Sequence, residues 1–304
     1  MLHTLVVEPP MLHGRFSQSR TPVLRVEPGD LVELKGIPDV SWGLEPPTSL
    51  TAPRRKVEPR VPGLCMVGPI FVNGATPGDA LEITFEEITP GPWGWTYAGK
   101  GMANPAHNAS LGIGDAPLTL LMWSLDARTG TATDQLGTRV AMRPFLGTIG
   151  LAPAADDACA WTPRTCGGNM DCRELVQGTS LLLPVQCDGA LLSLGDGHAA
   201  QGDGELGGTA IECLMDCVRL RLTLHNGLHL PGPLARTPSG TVTLGFAETL
   251  DAAAAIAAGD MLTLVAREKG IDRAHAAALA GVCMSLHVTQ MVNPLRGMHA
   301  IWHG

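Results

Sequence analysis

The sequence predicts a mainly β chain that ends in a small α+β segment. Three observations lead there. Gly (37) and Pro (24) supply about a fifth of the 304 residues, which implies many turns and short strands. Apolar residues make 45% of the chain and alternate with polar ones in short runs through its first 225 residues. Helical spacing with proper end signals arrives only late, from Thr249 onward. With charged residues at 16%, the chain can bury a sizeable core, and disorder is excluded.

The elements follow in order. Residues 23–34 (VLRVEPGDLVEL) are two alternating runs around Pro28-Gly29, and residues 70–88 (IFVNGATPGDALEITFEEI) repeat the plan around Pro77-Gly78. Proline sets φ near −65° and glycine accepts positive φ, as a type II turn requires. Two hairpins with the same turn chemistry are expected, in preference to an internal repeat. Residues 90–111, rich in Gly, Pro and Trp, read as an irregular excursion. Strands are expected at 118–125 and 139–142. Residues 179–187 (TSLLLPVQC) and 190–195 (ALLSLG) flank Asp188-Gly189, a strong hairpin signal, with Pro184 marking an edge or a bulge. Strands at 210–214 and 218–224 come next. A helix over 249–268 has Gly270 as its stop and an interruption at Gly259-Asp260 that predicts a kink or two pieces. Asp272 reads as the N-cap of a second helix ending near Cys283, and 285–294 returns to strand. The expected organisation is an N-terminal β domain (1–155), a central β segment (156–235) and a C-terminal α+β segment (236–304).

Charge narrows the function. The net charge is −8 and the pI about 5.6. Arg54-Arg55-Lys56 is the one basic run, so nucleic acid and anionic membranes are poor partners. No stretch of about 20 apolar residues exists, so no transmembrane helix is expected. The start, MLHTLVVEPPMLHGRF, lacks a basic region followed by an apolar one. The expectation is therefore a cytoplasmic protein with eight reduced cysteines. None forms a CxxC pair, so they read as small buried hydrophobes rather than a zinc site.

Chemistry concentrates between Cys166 and Glu212. This window holds Asp171, Glu174, Asp188, Asp196, Asp203, Glu205 and Glu212, against Arg173 and His198. Carboxylates gathered beside apolar strands repel one another and resist desolvation, and a bound cation relieves both. In GDGHAAQGDGE (195–205), Asp196 and His198 are i and i+2, on one side of an extended segment. The glycines allow close backbone approach and positive φ. The stretch has two readings at this point, a solvated acidic turn or a loop that holds a divalent ion. It is neither an EF-hand nor HExxH. Asp188 reads as the hairpin turn and Glu174 as solvated. His225, His229, His275, His287, His299 and His303 read as surface or satisfied core residues. No G-x-S-x-G elbow is present, and Cys166 and Cys172 have no assignable base.

The run 167–212 (GGNMDCRELVQGTSLLLPVQCDGALLSLGDGHAAQGDGELGGTAIE) resembles the acetamidase/formamidase family of metal-dependent amidases. PFLGTIGLAP (144–153), GPIFVNGATPGDALEI (68–83) and HVTQMVNPLRGMHA (287–300) are similar to family segments too, so the resemblance covers most of the chain. It implies a jelly-roll, sandwich or barrel-like β core. It implies hydrolysis of a small amide, formamide or acetamide, to a carboxylate and ammonia, with a divalent metal as cofactor; zinc is expected, with calcium or another divalent ion as the alternative. Carried over by motif, the ligands are Asp171 of GGNMD, Asp196 and His198 of GDGH and Glu212 of TAIE, with Asp39 of GIPDVSWG as the upstream carboxylate. Glu205 is then the general base, Asn169 or Gln201 holds the substrate amide, and Asp203 is a turn residue or sits behind the ligands. Two departures stand out. The family carries a His before its GP-[IV] strand where this chain reads PGLCMVGP, with Cys65, and an Asp before VTQ where this chain reads CMSLHVTQ, with Ser285 and His287. They keep open a hydrolase of another C–N bond, such as a cyclic amide or carbamate, and a non-catalytic member. A homodimer is the expected assembly.

Overall fold

Two long antiparallel strands, Ala80–Ala98 and Glu212–His225, form the spine of the computed structural model, which describes residues 1–102, 104–155 and 158–304. They pair from Ala80↔His225 to Trp95↔Glu212. Leu81, Ile83 and Phe85 alternate with polar neighbours and are fully buried, as are Leu220 and Leu222 opposite. That alternation commits one face of the ladder to the core. Leu31–Ile37 pairs with the far side of Glu212–His225, and Leu2–Val6 adds to it in parallel. Ser180–Pro184 and Thr119–Asp126 pair with the two ends of Ala80–Ala98.

A second set of strands, Met66–Val72, Phe145–Gly150 and Leu192–His198, contributes Val67, Ile70, Leu146, Ile149, Leu192 and Leu194 to the same core. Leu192–His198 joins the spine through Gly197↔Cys213 and His198↔Glu212. The mainly β expectation thus holds, with both strand sets contributing to one apolar core. Gly240–Ala247, Met284–Gln290 and Arg296–Trp302 continue the sheet toward the C-terminus. Helices α2 (Leu250–Lys269) and α3 (Arg273–Cys283) cover this end through Ala257, Met261, Val265, Ala276, Ala280, Ala300 and Trp302. A short helix α1 (Pro105–Ser110) is capped by Asn104. The expected boundary at 155/156 abuts Asp156, which lies outside the described residues.

Several local expectations are met and others corrected. Thr249 caps α2, Gly270 ends it at φ 64°, and Asp272 caps α3 by accepting the His275 N–H. Helix α2 runs without interruption through Gly259-Asp260. The buried stripe Ala253, Ala257, Met261 and Val265, at i+4 spacing, outweighs the roughly 1 kcal/mol that an internal glycine costs. Both Pro-Gly turns form, with Asp30 N–H bonded to Glu27 O and Asp79 N–H to Thr76 O, yet neither makes a hairpin. Leu24–Val26 pairs with Met66–Val72, whereas Leu31–Ile37 pairs with the spine. The turns are arches between the strand sets. The expected hairpin across Asp188-Gly189 is likewise absent. Ser180–Pro184 pairs with Ala80–Thr84 and with Leu234–Thr237, and Leu192–His198 with three other strands. Competing long-range ladders override the local turn signal. Pro184 closes its strand, paired on one side only. Residues 90–98, expected to be irregular, are strand. Pro90 is tolerated because the ladder to Glu212–His225 slips register between Cys213 and Met215 and again between Met215 and Cys217.

Candidate metal centre

The junction of the two strand sets carries the acidic cluster. His198 and Glu212 are opposite residues in the one ladder that joins Leu192–His198 to the spine. His198 Nε2 lies 3.2 Å from Asp196 Oδ1 and 3.3 Å from Glu212 Oε2. Asp171 and Glu205 approach from loops. Ligand atoms of Asp171, His198 and Glu205, and of Asp196, His198 and Glu212, each fall within 4.8 Å of one another. All five residues are buried. Together with Trp42, Trp95, Tyr97 and Trp161 they line a cavity of about 320 Å³.

The local backbone explains how these side chains converge. Asp171, Asp196 and Glu205 have φ of 51°, 61° and 49°, in the left-handed region that Asp tolerates better than most residues. Among the described residues six non-glycines have positive φ, and four of them (these three and Trp42) line this cavity. Such concentration of backbone strain is typical of functional sites. The sequence placed the positive φ on the glycines instead. Gly204 does adopt it, at 91°. Gly195 and Gly197 serve close approach, since a Cβ there would sit 2.2 Å from Cys65 O and 2.7 Å from Cys213 O.

Electrostatics follow from four carboxylates around one imidazole. Burial, reinforced by the Asp196 charge, pushes Asp171 up to about 8. Burial likewise lifts Glu212 to about 7 and Glu205 well above the usual carboxylate range. Burial also opposes ionisation of Asp196, but His198 and the Thr148 hydroxyl hold it below its ordinary value. His198 resists charging by burial, yet Glu212 and Asp196 raise it well above an ordinary histidine.

The residues present fit a divalent cation. Glu212 Oε1 accepts the Ala210 N–H at 3.0 Å, while Glu212 Oε2 is buried without a hydrogen-bond partner. Buried carboxylate oxygens are normally satisfied, and this one has only the His198 Nε2 at 3.3 Å beside it, so the cluster has room for a further positive charge. Gly147 leaves the space: a Cβ at that position would lie 2.7 Å from Asp171 Oδ1, Asp196 Oδ2 and His198 Cε1. One imidazole nitrogen with several carboxylate oxygens suits zinc and other borderline divalent ions.

Each residue singled out from the sequence now has a place. Asp171, Asp196, His198, Glu205 and Glu212 meet. Asn169 lines the cavity; its Oδ1 takes the Thr148 hydroxyl at 2.6 Å, and its Nδ2 has no partner among the described residues. Gln201 does not line the cavity. Its Oε1 meets His198 Nδ1 at 3.0 Å, and its Nε2 donates to Asp171 O at 2.8 Å. Asp39 stays apart from the cluster. It accepts from Arg54 at 2.6 Å, from Trp95 Nε1 at 2.7 Å and from the Gly43 N–H at 2.6 Å, behind the cavity wall. Asp203 is bonded to His287 and Arg173 outside the cluster. At the departures, Cys65 is buried in the core, Ser285 bonds His303, and neither residue nor His287 lines the cavity. Sequence reasoning missed Gly147, Thr148 and Asn293. The hydroxyl of Thr148 is 3.0 Å from Asp196 Oδ2, and Asn293 Nδ2 donates to Asp171 Oδ2. Both lie in the quoted similar segments, but no local spacing ties them to a carboxylate far away in sequence.

The chain matches the Acetamidase/Formamidase family over residues 6–162 and 154–234. It is 29% identical to an acetamidase of Mycolicibacterium smegmatis over 194 residues, 46% of this chain and 48% of that one. It thus spans about half the length of the curated relatives it matches. Two solved structures align over nearly everything. An acetamidase from Bacillus halodurans is 30% identical over 98% of this chain and 96% of its own, with a TM-score of 0.85. A predicted acetamidase/formamidase from Thermoanaerobacter tengcongensis is 28% identical over 99% and 95%, with a TM-score of 0.86. Together with the strand topology and the clustered motif residues, these matches establish that the chain belongs to the acetamidase/formamidase family.

Proposed function

We propose that this chain is a divalent-metal-dependent hydrolase of linear amides, releasing a carboxylate and ammonia. The observation that carries the reading is a buried group of four carboxylates around one imidazole, in which Glu212 Oε2 accepts no hydrogen bond. The names of the relatives supply the amide bond. Asp171, Asp196, His198 and Glu212 would hold the ion, with zinc favoured. When bound, such an ion supplies Lewis acidity toward the amide carbonyl and acidifies water. The two candidate ligand groups at this cavity share His198, whose Nδ1 is engaged by Gln201, so one centre at this site is the reading we adopt.

The protein's own groups do the rest. Asn169 Nδ2 donates toward the amide oxygen from the cavity wall. Glu205, buried beside Asp171 and His198, accepts the proton that water loses as the C–O bond forms, in the ionised form that a bound cation would favour. It returns that proton to the nitrogen as the C–N bond breaks, and ammonia leaves. Burial of the cluster limits competing solvent.

Ammonia release from formamide, acetamide and larger amides, before and after dialysis against chelator and with zinc restored, tests the reading. Release that vanishes with the metal and returns with it is expected, at about one ion per chain. Full activity in the metal-free protein would sink metal dependence, and no release from any amide with metal bound would sink the amidase assignment.

A further inference from the structure

The chain is poor in aromatics, with six Trp and one Tyr in 304 residues. Three of those Trp and the single Tyr nevertheless line the cavity that also holds the acidic cluster: Trp42, Trp95, Tyr97 and Trp161. Random placement does not gather them there, and three of the four are held by specific contacts. Trp42 occupies φ 67°, a conformation that a bulky side chain adopts only under constraint, and its Nε1 is tied to Gly63 O at 3.1 Å. Trp95 is tied by its Nε1 to Asp39, which is itself fixed by Arg54. Tyr97 tilts against Trp95 at 4.7 Å between centroids. Trp161 stands at the rim, 48% exposed.

The cavity's size points the same way. Its volume is about 320 Å³. Acetamide has four heavy atoms and fills roughly 100 Å³, on a scale where one water takes about 30 Å³. A cavity of a few hundred Å³ suits a ligand of ten or more heavy atoms. Indole and phenol rings offer faces and edges that reward a second ring in offset or edge-on packing, by about 0.5–1.5 kcal/mol per pair beyond area burial.

We infer that the substrate is an amide whose acyl group carries an aromatic ring, seated among Trp42, Trp95, Tyr97 and Trp161 while its carboxamide reaches the acidic cluster. This rests on the amidohydrolase reading and extends it from small aliphatic amides to arylalkyl amides.

The test compares kcat/KM for acetamide, hexanamide and phenylacetamide with the metal-loaded enzyme, and measures equilibrium binding of phenylacetate by quenching of tryptophan fluorescence. Phenylacetamide is expected to exceed acetamide and hexanamide by tenfold or more. Trp161→Ala, a change at the exposed rim, is expected to reduce the phenylacetamide-to-acetamide ratio about tenfold and to weaken phenylacetate binding. Acetamide turned over as well as phenylacetamide would overturn the substrate class while leaving the amidase reading intact. Hexanamide equal to phenylacetamide would overturn the aromatic requirement. Absence of turnover on all three amides would instead indict the amidase reading, and phenylacetate binding lost on Trp161→Ala would still support the aromatic seat.

Discussion

Gln201 Oε1 lies 3.0 Å from His198 Nδ1, while the same amide donates through Nε2 to Asp171 O at 2.8 Å and Thr289 O at 3.4 Å. Two carbonyl acceptors fix which end of the amide is nitrogen. Oε1 must then face the imidazole, and His198 Nδ1 must carry the hydrogen. In the neutral ring that leaves the Nε2 lone pair directed at Asp196 and Glu212, as a metal ligand requires. Gln201, expected to hold substrate, is engaged with His198 and Asp171 in this structure. Gln201→Leu is expected to weaken zinc affinity 10–100-fold, the usual effect of losing such a partner. Competition with a chromophoric chelator measures it. Unchanged affinity with a raised KM would return Gln201 to substrate binding.

Gly147 leaves open space against the acidic cluster. A methyl group there would press on Asp171, Asp196 and His198 at once. Gly147→Ala is expected to leave far-UV circular dichroism intact while metal content falls below one tenth of an ion per chain and ammonia release drops at least 100-fold. Elemental analysis of the purified variant reads this. Full metal occupancy would show that the ion does not sit against Gly147.

The residues that meet at the candidate site were named chiefly through the family resemblance, since composition and spacing alone left the window between an acidic turn and an ion-holding loop. Asp196 and His198 were expected on one side of an extended segment, and the side chains do meet at 3.2 Å, although Asp196 takes a left-handed φ to achieve it. What stayed hidden is non-local. Asn293 reaches Asp171 from 122 residues away, and Trp95 reaches Asp39 across 56. The fold divides the same way. Caps at Thr249 and Asp272 depend on neighbours three residues off and were readable. The Pro-Gly and Asp-Gly turns were readable as turns, but strand partners depend on which distant edges are free, and that information is not in the turn.

Asp39 separates a ligand role from a structural one. Its carboxylate is fully enclosed, and the Arg54 guanidinium paired with it is 9% exposed. Removing one partner of a buried ion pair leaves the other charge uncompensated, at a cost of about 3–5 kcal/mol. Asp39→Ala also deprives Trp95 Nε1 of its acceptor. The expected outcome is a large fall in thermal stability, by roughly 5–10 °C for a chain of this length, with the metal still bound at low temperature. Metal lost from a protein whose unfolding temperature is unchanged would make Asp39 a ligand after all.

Buried His13 sets an acid limit on stability. Its Nδ1 bonds Arg15 O at 2.8 Å and its Nε2 meets Ser193 Oγ at 3.1 Å. Burial, aided by the Arg20 charge and opposed by the Arg15 carbonyl, lowers it to about 4. An unfolded histidine titrates near 6.5, so between those values the unfolded chain binds the extra proton. Stability therefore rises with pH across this window and is lost as pH falls from about 6.5 toward 4. His13→Gln keeps a polar side chain without the titration. Urea unfolding at pH 7 and pH 5 is expected to show a pH-dependent loss smaller by about 1–2 kcal/mol in the variant than in the parent. Equal losses in the two proteins would place the acid sensitivity elsewhere.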